Sequence, residues 1–260
     1  MATPDVREMT PEDEYFVSTC SHVNESEETD QCGHRRLAWL RSVGEKGLRV
    51  FVASVEGKLV GFVYVLPIEV SPWGPLGDDL FVVPCLWVVP DAQGQGAGRA
   101  LMEAAEEEAR RQGVKGIVTT GHYHDFWFMP ATFFEKLGYE PARREGKTAL
   151  LWKRFDESAE PPSFLARTYE FAPVPGKVVI DLFYTTFCGT SDVEAQRVRE
   201  VAADFGEAVV LNEYRAEDRD TLLRHQLPRA IFINGREIGW GYEAPKDGIA
   251  EAISQALGHI

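Results

Sequence analysis

Residues 91–98 read DAQGQGAG. They follow the apolar run LWVV at 86–89 and Pro90, and they lead directly into RALMEAAEEEARRQG at 99–113. A strand-like run, a glycine loop and a helix-like run in immediate succession form a strand–loop–helix unit, and this unit decides the fold. Gly94, Gly96 and Gly98 alternate. Glycines at this density serve a tight turn, a close approach of two backbones, or a cradle for phosphate oxygens. The helix behind them presents unpaired N–H groups and the positive end of its dipole, which suits an anion. A dinucleotide turn, GxGxxG, would place the third glycine one residue later, and a P-loop would need a Lys-Ser/Thr pair that is absent. The local reading is a phosphate or pyrophosphate cradle, with a purely structural turn as the alternative.

Upstream, RVFVASV (49–55) and KLVGFVYVL (58–66) predict a β-hairpin. After the turn-rich SPWGPLGDD, the run LFVVPCLWVV (80–89) predicts a strand interrupted at Pro84, where the missing N–H calls for a bulge or an edge. Downstream, the helix repeats on Leu101, Ala104, Ala105 and Glu108 and stops at Gly113. VKGIVTTG (114–121) predicts a strand, PATFFEKLGY (130–139) a short helix, and TALLWKRF (148–155) a strand. The early ESEETDQCGHRRLAWLRSV (25–43) predicts a helix with Leu37 and Leu40 on its apolar side. Residues 1–155 thus form one mixed α/β unit. Residues 156–176 are rich in proline and acid and predict a connector, with a strand in FLARTYEF (164–171). Residues 177–260 predict a second, smaller βαβαββα unit, with an Asn-Gly hairpin turn in RAIFINGREI.

Composition narrows the partners. The 260 residues carry a formal net charge of −14, and acid outweighs base in both halves: 17 Lys and Arg against 23 Asp and Glu in 1–155, and 10 against 18 in 156–260. No basic field exists for a polyanionic backbone, so nucleic acid is excluded as a partner. No stretch approaches a membrane span, and MATPDVREMT has no apolar core of a secretory signal. Four cysteines (Cys20, Cys32, Cys85 and Cys188) are too sparse for a disulfide framework and point to the reducing cytoplasm.

VVPDAQGQGAGRALMEAA resembles the acyl-CoA motif of the GNAT acetyltransferase superfamily, Gln/Arg-x-x-Gly-x-Gly/Ala after the central strand. Gln93, Gly96 and Gly98 match it, with Arg99 behind. FFEKLGYEP resembles that superfamily's late helix and the strand entry that follows. The resemblance implies an α/β GNAT acyl-CoA-binding fold with acetyl-CoA as co-substrate and an amine acceptor. Gln93, Gly94, Gln95, Gly96, Ala97, Gly98 and Arg99 would bind the pyrophosphate. Val88 and Val89 would pair with the pantetheine arm, and a backbone N–H between Leu86 and Val88 would polarise the thioester carbonyl.

Acyl transfer to an amine needs a deprotonated amine, a polarised carbonyl and often an acid for the departing thiolate. Many relatives place a tyrosine where this chain has Phe134, whose ring carries no exchangeable proton. Tyr139 lies beyond the helix-ending glycine and reads as core. The catalytic candidates are therefore Cys85, beside the Pro84 interruption, and His122 and His124, at a strand's C-terminal end where active-site loops gather. Cys85 also reads as a buried filler and the histidines as solvated. Trp127 and Phe128 read as pocket lining or as core.

Two further patterns stand out. CSH (20–22) and CGH (32–34) give Cys-x-His-x9-Cys-x-His. Thiolates with imidazoles suit a thiophilic metal, although structural zinc uses tighter spacing. No metal is expected; Cys20, His22, Cys32 and His34 remain a metal alternative beside two others, an acceptor-pocket wall and four unrelated residues. DLFYTTFCGTS resembles a thioredoxin-fold active-site turn, with Cys188 in the first position and Ser191 in the second. QLPRAIFING resembles the segment bearing that fold's cis-proline, which would set Pro228 against Cys188. The pairing of domains resembles YoaP-type proteins, a GNAT domain followed by a thioredoxin-like domain. A Cys-x-x-Ser site closes no internal disulfide but can form a mixed one with a partner thiol. Beside the enzyme stand two other readings: a CoA-binding regulatory module without turnover, and a thiol- or metal-responsive protein.

Overall fold

The structure is a computed structural model and describes residues 3–124 and 128–258. It divides into two compact units, the first made of Met1–Val23 and Leu40–Leu165, the second of Asn24–Trp39 and Ala166–Ile260.

In the first unit β1 (Asp5–Glu8) and a one-turn helix α1 (Glu14–Ser18) precede the long helix α2 (Glu27–Gly44), whose last residues belong to this unit. The expected hairpin forms as β2 (Arg49–Val55) and β3 (Lys58–Pro67), and the interrupted strand as β4 (Leu80–Val83) and β5 (Leu86–Val88). Helix α3 (Ala97–Arg111), β6 (Gly116–His122), α4 (Ala131–Glu135), β7 (Glu140–Glu145) and β8 (Thr148–Arg154) complete it. The strands form one sheet, β1-β2-β3-β4-β6-β8-β7, with β5 also on β3. Strand β4 runs parallel to β6, and α3 makes the crossover between them.

The period of two along β3 divides the packing. Val63 and Val65 face a core with Leu101, Met102, Ala105 and Ala109 of α3. On the other side Phe62 meets Phe16 edge to face at 6.2 Å, and the Tyr64 hydroxyl donates to the Val17 carbonyl. Two glutamates of α3 are buried with partners: Glu106 accepts from Lys153 Nζ at 2.8 Å, and Glu108 takes both Arg111 and Gln112.

The second unit holds β9 (Val178–Tyr184), α5 (Gly189–Asp204), β10 (Val209–Arg215), α6 (Arg219–His225), β11 (Ala230–Ile233), β12 (Arg236–Ile238) and α7 (Lys246–Leu257). Its sheet runs β10-β9-β11-β12, parallel only between β10 and β9. β9 is buried along its whole length. Its even residues, such as Ile180 and Leu182, pack under Val198, Ile249 and Ile253 of α5 and α7, while Phe183 joins Phe232 and Tyr214 on the opposite face. The expected strand in 164–171 does not form. This segment is held by isolated contacts instead: Thr168 N donates to His225 O, and the Tyr169 ring stacks on Phe232 at 3.8 Å. No helix of the described residues is long and apolar enough to cross a membrane.

Candidate functional site

Pro84 and Cys85 end the pairing of β4 with β6. The register stops at Val83 opposite Thr119, where the Thr119 hydroxyl donates to the Val83 carbonyl at 2.8 Å. Beyond this point the chain stays with β3 alone, with Leu86 opposite Val63 and Val88 opposite Gly61. Tyr64 N donates to Cys85 O, and Val89 N donates to Val60 O. Backbone groups alternate in direction along an antiparallel pair, so Cys85, Trp87 and Val89 turn theirs toward β3, and Leu86 and Val88 turn theirs away. The outer edge of β5 is therefore a short open strand, and among the described residues no strand pairs with it. The backbones of β3 and β5 are close: a Cβ on Gly61 would lie 2.5 Å from Trp87 O.

The glycine loop begins at the end of this strand. Gln93 Nε2 donates to Val88 O at 3.0 Å, and Gln95 Nε2 donates to Asp91 O at 2.8 Å. Gly94 and Gly96 have φ of 74° and 93°, a region costly for residues with a Cβ, and open space lies where their Cβ atoms would be. Conformation, not crowding, requires these two glycines. Gly96 is the N-cap of α3 and gives it no side-chain cap; Ala100 N, on Gly96 O, is the first amide of the helix to find a partner within it. Gly98 is different: a Cβ there would meet the Phe133 ring at 3.3 Å and Val88 Cγ2 at 3.8 Å. The loop, β5 and α4 thus converge at Gly98, Val88 and Phe133. Arg99 is exposed, whereas Ala97 is buried.

His122 closes β6, bridges to Pro130 and places Nδ1 3.2 Å from Thr148 Oγ1. His124 stacks on it, ring centroids 5.2 Å apart. Burial, and secondarily the charge of His124, hold the His122 imidazole below its ordinary value. Cys85 is half-buried at the start of β5. Phe134 is fully buried, edge-to-face with Tyr139 at 5.9 Å. The Tyr139 hydroxyl is buried without a hydrogen-bond partner, and burial pushes its ionisation well above the ordinary tyrosine value. Two contributors were not foreseen. Thr119 closes the junction where the strands part, and Ser21 accepts from Trp87 Nε1 at 2.8 Å. Ser21 follows Cys20 in a turn where both have positive φ. Trp127 lies outside the described residues.

Among the described residues no group of three or more His, Cys, Asp or Glu is gathered as a metal would require. Cys20 and His22 belong to the turn after α1 in the first unit, while Cys32 and His34 lie on α2 within the second. Cys32 is nearly fully buried, donates to Gly189 O at 3.5 Å, and has its thiol held protonated by burial.

In the second unit Cys188 is the N-cap of α5, its Sγ 2.9 Å from Thr190 Oγ1. Ser191 is buried, and its hydroxyl accepts from Thr185 N. Among the described residues the cis peptide bond is Gly74–Pro75, so Leu227–Pro228 is trans and Pro228 is not the cis-proline that its segment suggested. It is Arg229, the next residue, that reaches this turn, with Nη1 3.4 Å from Thr190 Oγ1 and Nε on Glu194.

Comparison with known proteins bears on the first unit. Residues 46–141 match the family model described as acetyltransferase (GNAT) domain. Among solved structures the chain is similar to a GNAT-family acetyltransferase from Staphylococcus aureus (11% identity, 59% of this chain, 100% of that chain, TM-score 0.45). It is likewise similar to the GNAT N-acetyltransferase YhbS from Escherichia coli in complex with CoA (20%, 59%, 82%, 0.42) and to a GNAT acetyltransferase from Brucella melitensis in complex with acetyl-CoA (16%, 63%, 97%, 0.40). No curated protein matches the chain.

Proposed function

We propose that this chain is an acetyl-CoA-dependent N-acyltransferase (EC 2.3.1) that moves the acetyl group directly to an amine of a small molecule or peptide. The observation that carries the reading is the break at Pro84–Cys85, which leaves an open strand edge leading into an uncapped helix N-terminus. The residues fit the co-substrate. The outward N–H and carbonyl of Leu86 and the outward N–H of Val88 match the amides of a pantetheine arm, beside the Val88 carbonyl that Gln93 holds, and the free amides of the Gly94–Arg99 loop match a pyrophosphate. Acetyl-CoA supplies an activated acyl carbonyl. The outward Leu86 N–H polarises it, and neutral His122, or His124 beside it, takes the amine's proton. Cys85 sits at the reacting end as a candidate acid for the leaving thiolate. The turn Cys20–His22, anchored by Ser21 on Trp87, serves as a wall of the acceptor pocket, and the acidic chain favours a cationic amine.

One observation favours a second reading. Phe134 and Tyr139 offer no accessible hydroxyl, as suits a domain that binds CoA without turnover. The second unit is read as thioredoxin-like of the YoaP type, with Cys188 open to a partner thiol. The four free cysteines support a cytoplasmic setting.

Acetyl-CoA titration by calorimetry tests the ligand, and a screen of amines and peptides for acetyl-CoA consumption tests turnover. Saturable binding is expected, weakened about tenfold or more by Gly96→Glu, which places a Cβ at φ of 93° and a carboxylate at the anion site, with circular dichroism unchanged. Equal binding by the variant overturns the assignment of the loop. Binding without consumption of any amine selects the second reading.

A further inference from the structure

Cys188 does not stand alone in the second unit. It caps the 16-residue helix α5, and its Sγ, the Thr190 hydroxyl and Arg229 Nη1 form a chain with links of 2.9 and 3.4 Å. Arg229 is close enough for its charge to act on Cys188. The next residue, Gly189, receives a second sulfur: Cys32 Sγ donates to its carbonyl at 3.5 Å and would lie 3.8 Å from a Cβ placed on it. Two free thiols therefore flank one glycine. Ser191, where a partner cysteine would fall by local spacing, is buried and engaged with Thr185.

A third group acts on Cys32. Asp192 is fully buried; its Oδ2 accepts from Arg35 Nε at 2.7 Å, while its Oδ1 has no hydrogen-bond partner. The Asp192 carboxylate and the Arg35 and Arg36 guanidiniums are the charged groups that act on the Cys32 thiol. Arg36 also donates to the carbonyl of Phe187, directly before Cys188. A buried thiol needs a base before it can attack, and the Asp192 carboxylate, which acts on the Cys32 thiol and keeps one oxygen unpartnered, can serve as one.

We propose that Cys188 and Cys32 form a dithiol site that reduces small-molecule disulfides, with Cys188 attacking, Cys32 resolving and Asp192 accepting the proton of Cys32. In the first step the Cys188 thiolate attacks one sulfur of RSSR. The S–S bond breaks, and RS⁻ leaves with the proton that Cys188 gave up. In the second step the Cys32 proton passes to Asp192 Oδ1, and the Cys32 sulfur attacks Cys188 Sγ. The mixed disulfide breaks, and the second RS⁻ takes that proton. The protein dithiol is oxidised to a disulfide, and RSSR is reduced to two RSH.

The test uses the reduced full-length chain with glutathione disulfide, acid quench, alkylation and intact-mass spectrometry. Wild type should lose two hydrogens without an adduct and yield a Cys32–Cys188 cross-linked peptide. Cys32→Ser and Cys32→Ala should each accumulate one glutathione on residue 188, and Cys188→Ser should form neither product. Asp192→Asn should slow ring closure at least about tenfold and make the glutathione adduct transiently visible. A stable adduct on wild-type Cys188, a cross-link to Cys20 or Cys85, or two unmodified thiols would overturn the assignment. Matching circular dichroism of the two Cys32 variants and wild type separates lost chemistry from lost fold.

Discussion

At position 134 a phenyl ring sits where the superfamily resemblance asks for a hydroxyl, and the fold seals that ring in the core against Tyr139. Phe134→Tyr should therefore restore nothing. Its hydroxyl would enter an apolar site that already holds one unpartnered phenol, at a cost of about 1–3 kcal/mol. A thermal-shift assay should find a lower melting temperature and acetylation kinetics a kcat no higher than wild type; a tenfold gain in kcat would mean that position 134 reaches the acyl group. His122 gives a prediction of opposite kind. Burial and His124 lower its pKa, so the neutral imidazole persists below the ordinary value near 6.5 and protonates only as the pH falls further. The acid limb of kcat/KM should lie below pH 6.5 and vanish in His122→Ala; an unchanged limb removes His122 as the base. The glycines of the cradle were legible because positive φ is a demand written at single positions. Thr119 and Ser21 were not, since their hydroxyls act on residues 36 and 66 positions away.

At the scale of elements, one proline does the most. Pro84 removes a ladder donor, β4 stops after Val83, and the chain continues beside β3 only. That interruption was legible, because proline inside an apolar run has few other meanings. The closeness of β3 and β5 at Gly61 was not, as it depends on which backbone lies opposite. It yields a test: Gly61→Ala drives a methyl into the Trp87 carbonyl and should cost about 1–3 kcal/mol in urea unfolding. Acetyl-CoA binding should weaken with it, because the displaced strand is the one offered to the ligand. Misreadings came from segments whose fate is set by tertiary partners. FLARTYEF carries strand-forming residues but finds no strand to pair with, and Tyr169 stacks on Phe232 instead. β1, the four largely exposed residues DVRE, has no apolar pattern and exists because β2 offers an edge.

Across the whole molecule, the order of elements in the second unit, and in the first apart from β1, α1 and β7, could be read from the sequence, whereas the grouping of one helix could not. A composition shift marked a boundary near residue 155, but Asn24–Trp39 groups with the distant second unit. Its links there are contacts of single side chains: Arg36 on Phe187 O, Arg35 on Asp192, Arg197 on Glu28 and Trp39 edge-to-face with Phe187. No sequence periodicity announces such pairings. A fragment of residues 177–260 lacks them all, and lacks Tyr169, whose hydroxyl donates to buried Asp181. It should melt well below the full chain by circular dichroism, and adding residues 24–39 and 166–176 should recover stability; a fragment as stable as the full chain would mean these contacts are incidental.

Helix α2 spans Glu27–Gly44, and the division between the units falls within it, at Trp39 and Leu40. On the ribosome this has a consequence in time. The front of the helix emerges more than a hundred residues before α5 and the turn that receive it, a wait of several seconds to tens of seconds at about 5–20 residues per second. During that interval Cys32 and Trp39, both buried in the finished protein, have no final partner to cover them. The nascent chain thus carries an unfinished helix through the folding of its first sheet.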